Sequence, residues 1–218
     1  QHLKEHQLQC DIQEGRDTLF WFTTCGWMMW NWLISSLASG ATIVLYDGSP
    51  GHPDLGALWK IAEKTGITHF GTSPKFLAAC SNSNLEPKKE ADLSSVKSLL
   101  STGAPLVSEQ FDWVYENIGS DIHLASISGG TDIIGCFLAG SPILPVYRGE
   151  IQCPQLGMDV QSWNIDGKPI IGESGELVCV KPFPSMPIGF WNDSDGLKYQ
   201  SAYFEEFPNV WTHGDYVE

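Results

Sequence analysis

The stretch DIHLASISGGTDII, residues 121–134, starts as an apolar run typical of a buried strand and continues through two glycines to Thr131 and Asp132. Glycine has no Cβ, so its backbone can take a positive φ or let another group approach closely. One interpretation is a tight turn capped by a hydroxyl and a carboxylate. The other is a site at which these two side chains hold a phosphate and its metal ion.

Outward from this stretch, strand-like and helix-like segments alternate along the first part of the chain. Apolar runs such as DTLFWFTT and ITHFGTS favour strands, and helical patterns between them end at Gly40 and Gly66 or begin at Pro74. This alternation predicts an α/β fold with a mostly parallel sheet and flanking helices. The polar stretch 82–95 is expected to be a surface loop.

Two glycine-containing turns directly follow strands of this predicted sheet, STGAP at 101–105 and SGGTD at 128–132. Ligands of parallel sheets bind beyond the carboxyl ends of the strands. The two turns are therefore expected to lie at the same edge of the sheet and to line one pocket.

The pattern changes after about residue 145, where short alternating runs are separated by Gly-rich turns such as NIDGK. This part is expected to be an antiparallel, β-barrel-like subdomain. The predicted organisation is a partial α/β subdomain over residues 1–145 and a partial antiparallel subdomain over residues 146–218.

The charge balance argues against two classes of partner. The formal net charge is −14, whereas nonspecific nucleic-acid binding and binding to an anionic membrane need a positive surface. The longest apolar run, GWMMWNWLISSLASGATIVLY, contains Asn31 and a Ser-Gly break, so we expect a buried helix followed by a strand and no membrane insertion. The six cysteines are widely spaced without a CxxC pair, which favours a reduced, cytoplasmic setting.

Four motifs in order along the chain, STGAP, SGGTD, GESGELVCV (172–180) and HGDY (213–216), resemble the adenylate-forming superfamily of acyl-CoA synthetases. The resemblance extends over essentially the whole chain and is greatest to members that activate acetoacetate. It implies an AMP-forming acid–thiol ligase that uses ATP with magnesium, and CoA as co-substrate. Catalysis in such enzymes is mainly positioning and charge neutralisation around the phosphates.

The resemblance also implies a nucleotide site. Gly103, Ala104 and Pro105 would form one wall of the adenine pocket, and Asp215 would accept hydrogen bonds from the ribose hydroxyls. Asp132 would take the magnesium-organising place usually held by glutamate, directly or through water, and with Thr131 would be catalytic. The residues lining the nucleotide would be Ser126, Ile127, Ser128, Gly129, Gly130 and Thr131.

The acyl pocket implied by the resemblance is lined by Trp27, Met28, Met29, Gly129 and Gly130. Related acetate-activating enzymes carry tryptophan at the place of Gly129, so glycine would open room for a longer acid, and Gly129→Trp is expected to favour acetate. The alternative interpretation of Trp27, Met28 and Met29 is a core stripe on a buried helix.

Some expected parts of such an enzyme are not found in the sequence. The superfamily's phosphate loop with its lysine would lie upstream, and the small C-terminal domain with the adenylation lysine would follow Glu218. The chain is therefore expected to be an internal fragment that is inactive by itself. Two functional alternatives stay open from the sequence: a ligase for another short-chain acid, and a carbohydrate-binding module built on the nine tryptophans.

Overall fold

A computed structural model describes all residues, 1–218, and divides them into two compact units, Gln1–Cys153 and Pro154–Glu218. The sequence analysis placed the boundary between the two subdomains after residue 145, and that boundary stays a prediction. No helix combines the length and the apolar character that crossing a bilayer would require.

The first unit is built on a five-stranded parallel sheet with the strand order β2-β1-β3-β4-β5. Its strands are β1 (Thr18–Trp21), β2 (Thr42–Val44), β3 (His69–Thr72), β4 (Ser98–Ser101) and β5 (His123–Ser126). The next strands along the chain are β6 (Ser128–Gly130), β7 (Gly135–Ala139) and β8 (Cys153–Pro154). The helices of this unit are α1 (His2–Lys4), α2 (Met28–Ser35), α3 (Ala57–Thr65), α4 (Pro74–Asn82), α5 (Pro87–Glu90) and α6 (Ser108–Asn117). A π-helix (Glu5–Gln9) continues α1, and a 3₁₀-helix (Ser36–Ser39) continues α2. The predicted α/β architecture is confirmed.

Alternate residues of the strands build two separate cores, because successive side chains point to opposite faces of a sheet. On one face Phe20, Phe70 and Leu99 lie opposite one another in register and share a buried cluster with residues of α3, α4 and α6. On the other face Leu19 and Leu100 belong to a second cluster that contains residues of α2. Both faces are covered, as parallel sheets require.

The polar stretch 82–95 is not only a surface loop, so this prediction is wrong in part. It contains α5, and its residues Pro87, Ala91 and Leu93 are buried. Ala91 and Leu93 belong to the core cluster beneath α3, α4 and α6. A few apolar residues among many charges suffice to dock the segment, because their burial removes apolar surface from water.

The second unit contains a four-stranded antiparallel sheet with the order β10-β9-β11-β12. Its elements are β9 (Val160–Trp163), β10 (Pro169–Ile170), β11 (Gly175–Cys179), α7 (Leu197–Tyr203) and β12 (Trp211–Val217). The predicted antiparallel character is confirmed. The strand order leaves β10 and β12 as edges, so these strands form an open sheet and not a closed barrel.

Candidate nucleotide and acyl site

The segments that follow β4 and β5 meet at the carboxyl edge of the parallel sheet, as expected for STGAP and SGGTD. Strands β4 and β5 are parallel neighbours with Ser101 opposite Ser126. Beyond them the Thr102 hydroxyl donates a hydrogen bond to the carbonyl oxygen of Ile127 at 2.8 Å, and the Ile127 amide donates to Ser101 at 2.9 Å. These two bonds tie STGAP to SISGG before either segment leaves the sheet.

The segment Gly103–Ala104–Pro105 lies exposed just after this junction. Gly103 has φ +95°, in the left-handed region that favours glycine, and no atom lies within 4 Å of where its Cβ would stand. A surface with so few side-chain atoms leaves room for a planar base. This geometry fits the predicted adenine wall, which stays a prediction.

The two glycines of SGGTD do not form the turn that the sequence predicted. Ser128–Gly130 is a short strand, β6, which pairs with the antiparallel strand β7 (Gly135–Ala139), and the turn is formed by residues 131–134. The turn is closed by a hydrogen bond from the Ile134 amide to the Thr131 carbonyl oxygen at 3.0 Å. Thr131 and Asp132 are exposed at its tip, while Ile133 is fully buried.

The glycine at position 129 is required by this pairing. A Cβ there would lie 2.2 Å from the carbonyl oxygen of Gly135 and 2.6 Å from the Cα of Cys136, both of them backbone atoms of the facing strand. Neither can move without opening the hairpin of β6 and β7. The close approach of two backbones is thus one physical reason for glycine at this place.

The predicted acyl residues on α2 divide into two kinds. Trp27, the N-cap residue, is 62% exposed, whereas Met28 and Met29 are buried. The two methionines belong to the same buried cluster as Ile127, which precedes β6, and Cys136, which lies on β7. The structure therefore gives Met28 and Met29 a core role, and any acyl role would be that of the wall behind the hairpin.

The tip formed by Thr131 and Asp132 offers one protein carboxylate that could bind magnesium. No group of three or more His, Cys, Asp or Glu side chains that could hold a metal ion occurs in the chain. Asp132 follows Thr131 in the chain, and both residues are exposed. This donor set fits a magnesium ion that arrives with nucleotide phosphates, because Mg²⁺ commonly takes one or two carboxylates and fills its other positions with phosphate oxygens and water.

The predicted ribose ligand, Asp215, lies on β12 of the second unit with its side chain 60% exposed. The pairing of β11 with β12 shifts register between Glu176 and Val178, so the backbone around Gly214 bulges. The Gly214 amide donates to Glu176 Oε1 at 2.8 Å, and His213 Nε2 lies 3.6 Å from Asp215 Oδ2. Burial raises the pKa of Glu176, and the nearby carboxylates of Glu206 and Asp215 act in the same direction.

Two buried carboxylates, Glu5 and Glu176, support these segments, and the sequence analysis assigned a role to neither. Glu176 stood inside a motif that the sequence analysis quoted, but Glu5 stood in a polar N-terminal stretch without any motif. A cavity of about 490 Å³ lies elsewhere in the first unit, lined by Gln7, Ile12 and residues 13–14 and 37–40, and contains none of the predicted site residues.

A family model described as "AMP-binding enzyme" matches residues 2–187 of the chain. The chain belongs to this family. The exposed segment Gly103–Pro105 and the tip formed by Thr131 and Asp132 thus belong to a protein of this family. Membership of the family replaces the alternative interpretation as a carbohydrate-binding module. Four of the nine tryptophans, Trp21, Trp32, Trp59 and Trp211, are moreover buried in the cores and unavailable for stacking on a sugar.

Relatives of known name are similar over the whole chain. It is 56% identical over 218 residues to "Acetoacetyl-coenzyme A synthetase" of Rhizobium meliloti (strain 1021) and 52% identical over 218 residues to "Acetoacetyl-CoA synthetase" of Gallus gallus. A solved structure, "Acetoacetyl-CoA Synthetase from Streptomyces lividans", matches with a TM-score of 0.93 and 50% identity over 99% of the chain. The chain covers 33%, 32% and 34% of these three proteins, so it spans about a third of their length.

Proposed function

We propose that this chain is part of an acetoacetate–CoA ligase that forms acetoacetyl-CoA with ATP. The observation that carries the proposal is the 56% and 52% identity, over the entire chain, to two proteins named as synthetases of this product. The exposed Gly103–Pro105 segment and the exposed Thr131–Asp132 tip support it, because they offer a surface with few side-chain atoms and two side chains that could bind phosphate and its metal ion.

The proposed reaction has two steps. The acetoacetate carboxylate attacks the α-phosphorus of ATP and pyrophosphate leaves, which gives acetoacetyl-AMP. The CoA sulfur then attacks the acyl carbonyl carbon and AMP leaves, while the thiol proton is lost to solvent. Magnesium bound with the nucleotide would neutralise phosphate charge during the first step.

The residues of this chain contribute binding and orientation. Thr131 would donate its hydroxyl hydrogen to a phosphate oxygen, and Asp132 would accept from magnesium-bound water or bind the ion directly. In the unit Gln1–Cys153, Gly103, Ala104 and Pro105 would face the adenine. In the unit Pro154–Glu218, Asp215 is the residue proposed to accept hydrogen bonds from the ribose hydroxyls. Holding the acid and the α-phosphate together supplies most of the rate enhancement proposed here.

The proposal is tested by acetoacetate-dependent exchange between ATP and labelled pyrophosphate in the full-length protein, with acetate and propionate in parallel. Fast exchange with acetoacetate and slow exchange with the other acids is expected. Exchange only with the other acids would keep the adenylation chemistry and replace the substrate, and no exchange with any short acid would refute the ligase.

Asp132→Asn adds a test of the site. The exchange rate is expected to fall by about 10²-fold, because the variant removes a charge that organises the phosphates and their metal. Asp121→Asn is the matched control, since Asp121 is exposed before the amino end of β5 while Asp132 lies beyond its carboxyl end. Equal rates in both variants would remove Asp132 from the site.

A further inference from the structure

A carboxylate that the proposed mechanism does not use lies buried beneath the hairpin of β6 and β7. Glu5 begins the π-helix Glu5–Gln9 and is only 1% exposed. Helical segments of this kind are rare and occur frequently at functional sites. A buried carboxylate is costly unless it is fully hydrogen-bonded, so its partners indicate what it stabilises.

Glu5 has three hydrogen-bond partners, and two of them, Trp32 and Cys136, lie on elements of the candidate acyl site. Its Oε2 accepts a hydrogen bond from the indole Nε1 of Trp32 on α2 at 3.0 Å. Its Oε1 accepts from the side-chain amide of Gln1 at 2.8 Å and lies 3.4 Å from the backbone nitrogen of Cys136, which donates to it, on β7. The single carboxylate therefore connects the helix that follows Trp27 to the strand that faces Gly129.

The register of the hairpin brings this contact to the candidate pocket. Cys136 is the residue opposite Gly129, and Gly135 is opposite Gly130. A Cβ at Gly135 would stand 3.1 Å from Glu5 Oε1, so the carboxylate lies directly against the strand at this point. Movement of Glu5 would be transmitted to the two glycines without any side chain in between.

The packing of Trp32 fixes the other end of the connection. Trp32 is 3% exposed, and its ring lies edge-on to His6 at 4.3 Å and to Trp21 at 5.5 Å. Held by these two rings and by the Glu5 carboxylate, the indole cannot rotate to find another acceptor. The Nε1–H depends on Glu5, because an unpaired buried donor loses its hydrogen bond to water without compensation.

We propose that Glu5 is a positioning residue for the acyl site, which holds the hairpin of β6 and β7 at a fixed distance from α2 and so sets the shape of the pocket for the acid. The inference rests on the proposed function and names a residue that determines its selectivity. Glu5 acts through Trp32 and Cys136 and does not touch the substrate.

The decisive variant is Glu5→Gln in the full-length protein. Glutamine has the same shape, but its NH₂ must face either the Trp32 indole N–H or the donors of Gln1 and Cys136, so one donor meets another donor. The KM for acetoacetate is expected to rise roughly tenfold, because a small displacement of a pocket wall is costly. The KM for ATP is expected to change by less than about twofold, because the displaced wall belongs to the acid pocket and the binding of the two substrates is not weakened uniformly.

Substrate selectivity distinguishes a positioning role of Glu5 from a merely structural one, because loss of stability alone would not change it. The ratio of kcat/KM for acetoacetate to that for butyrate, an acid of equal chain length without the ketone, is expected to fall by about fivefold in Glu5→Gln. Glu63→Gln is the matched control, because Glu63 is exposed on α3 and packs against no element of the hairpin. Its kinetic parameters are expected to equal those of the unmodified protein.

Trp32→Phe tests the connection independently, since phenylalanine keeps an aromatic ring and removes only the N–H donor. The two substitutions are expected to be non-additive, with the double variant no worse than about twofold beyond Glu5→Gln, because both break the same bond. Additive effects, an equal rise of both KM values, or a lower Tm with unchanged selectivity would overturn the positioning role. Absence of exchange with every acid in the unmodified protein would instead refute the ligase itself and this inference with it.

Discussion

At the residue scale, the position of Asp215 depends on a neighbour that would not bind nucleotide itself. Glu176 is 8% exposed and accepts the Gly214 amide hydrogen, and Gly214 has φ +86° in the left-handed region. The carboxylate of Glu176 thus satisfies the amide that the bulge in the pairing of β11 and β12 releases. Asp215 lies in this bulge with its side chain 60% exposed.

Removing this acceptor is expected to weaken ATP binding. Glu176→Ala leaves the Gly214 amide without its partner, and the KM for ATP is expected to rise by about tenfold while the KM for acetoacetate stays constant. Glu176→Gln keeps an acceptor oxygen and is expected to stay within about threefold of the unmodified enzyme. Glu173→Ala, exposed in the preceding turn, is the control. An unchanged KM for ATP in Glu176→Ala would show that the bulge holds its shape without the carboxylate.

The sequence allowed Asp215 and Asp132 to be selected because each stands in a short motif whose resemblance assigns a role. It did not allow Glu5 to be selected, because its partner Cys136 is 131 residues away in sequence. A buried polar residue needs a hydrogen-bond partner. Neither the burial of such a residue nor the identity of its partner can be predicted from its neighbours in sequence.

At the element scale, the hairpin of β6 and β7 was not predicted, because Ser128, Gly129 and Gly130 have none of the β-branched or aromatic character that marks a strand. The parallel strands were predicted, since they are short apolar runs buried on both faces. The hairpin exists because missing side chains let two backbones approach closely, which is a tertiary requirement that local propensity does not contain.

The hairpin geometry changes the expected effect of substitution at Gly129. Gly129→Ala and Gly129→Trp both place a Cβ within 2.2 Å of the Gly135 carbonyl oxygen, so the strands must separate. We expect each variant to lose about 1–3 kcal/mol of stability and to lose activity with acetoacetate and acetate together. Differential scanning calorimetry and exchange assays with both acids measure the two effects.

The control for Gly129 is Gly51→Ala, whose Cβ would make an ordinary contact of 3.7 Å with Leu55. This variant is expected to match the unmodified protein in Tm and in exchange rate. A Gly129→Trp enzyme with normal Tm and a shift in preference toward acetate would contradict the backbone argument and support the hypothesis that glycine here serves only to enlarge the pocket.

At the scale of the whole molecule, most of the histidines lie in the first unit, in environments that disfavour the charged form of the imidazole ring. Burial lowers the pKa of four of the six, His2, His6, His69 and His123. The pKa of His6 falls to about 3, because the ring is fully buried and His2 lies nearby. The backbone of Trp32 acts on this pKa in the opposite direction.

The sign of the resulting pH dependence follows from linkage. A histidine whose pKa is lower in the folded state than in the unfolded chain binds its proton more readily when unfolded. Its contribution to stability is therefore complete above the unfolded pKa of about 6.5 and is lost as the pH falls toward the folded value. Acidification from pH 7 to pH 5 is expected to destabilise the unit Gln1–Cys153.

His6→Phe isolates one part of this effect, since phenylalanine keeps a ring against Trp32 and cannot titrate. Between pH 7 and pH 5 the free energy of unfolding of the unmodified protein is expected to fall by about 2 kcal/mol more than that of His6→Phe. Hydrogen exchange of peptides from β1 and α2 in graded urea measures the opening of this unit within the full-length protein. His52→Phe, at an exposed position, should keep the full pH dependence, and the same slope in His6→Phe would show that the His6 ring is protonated or solvated in the folded state.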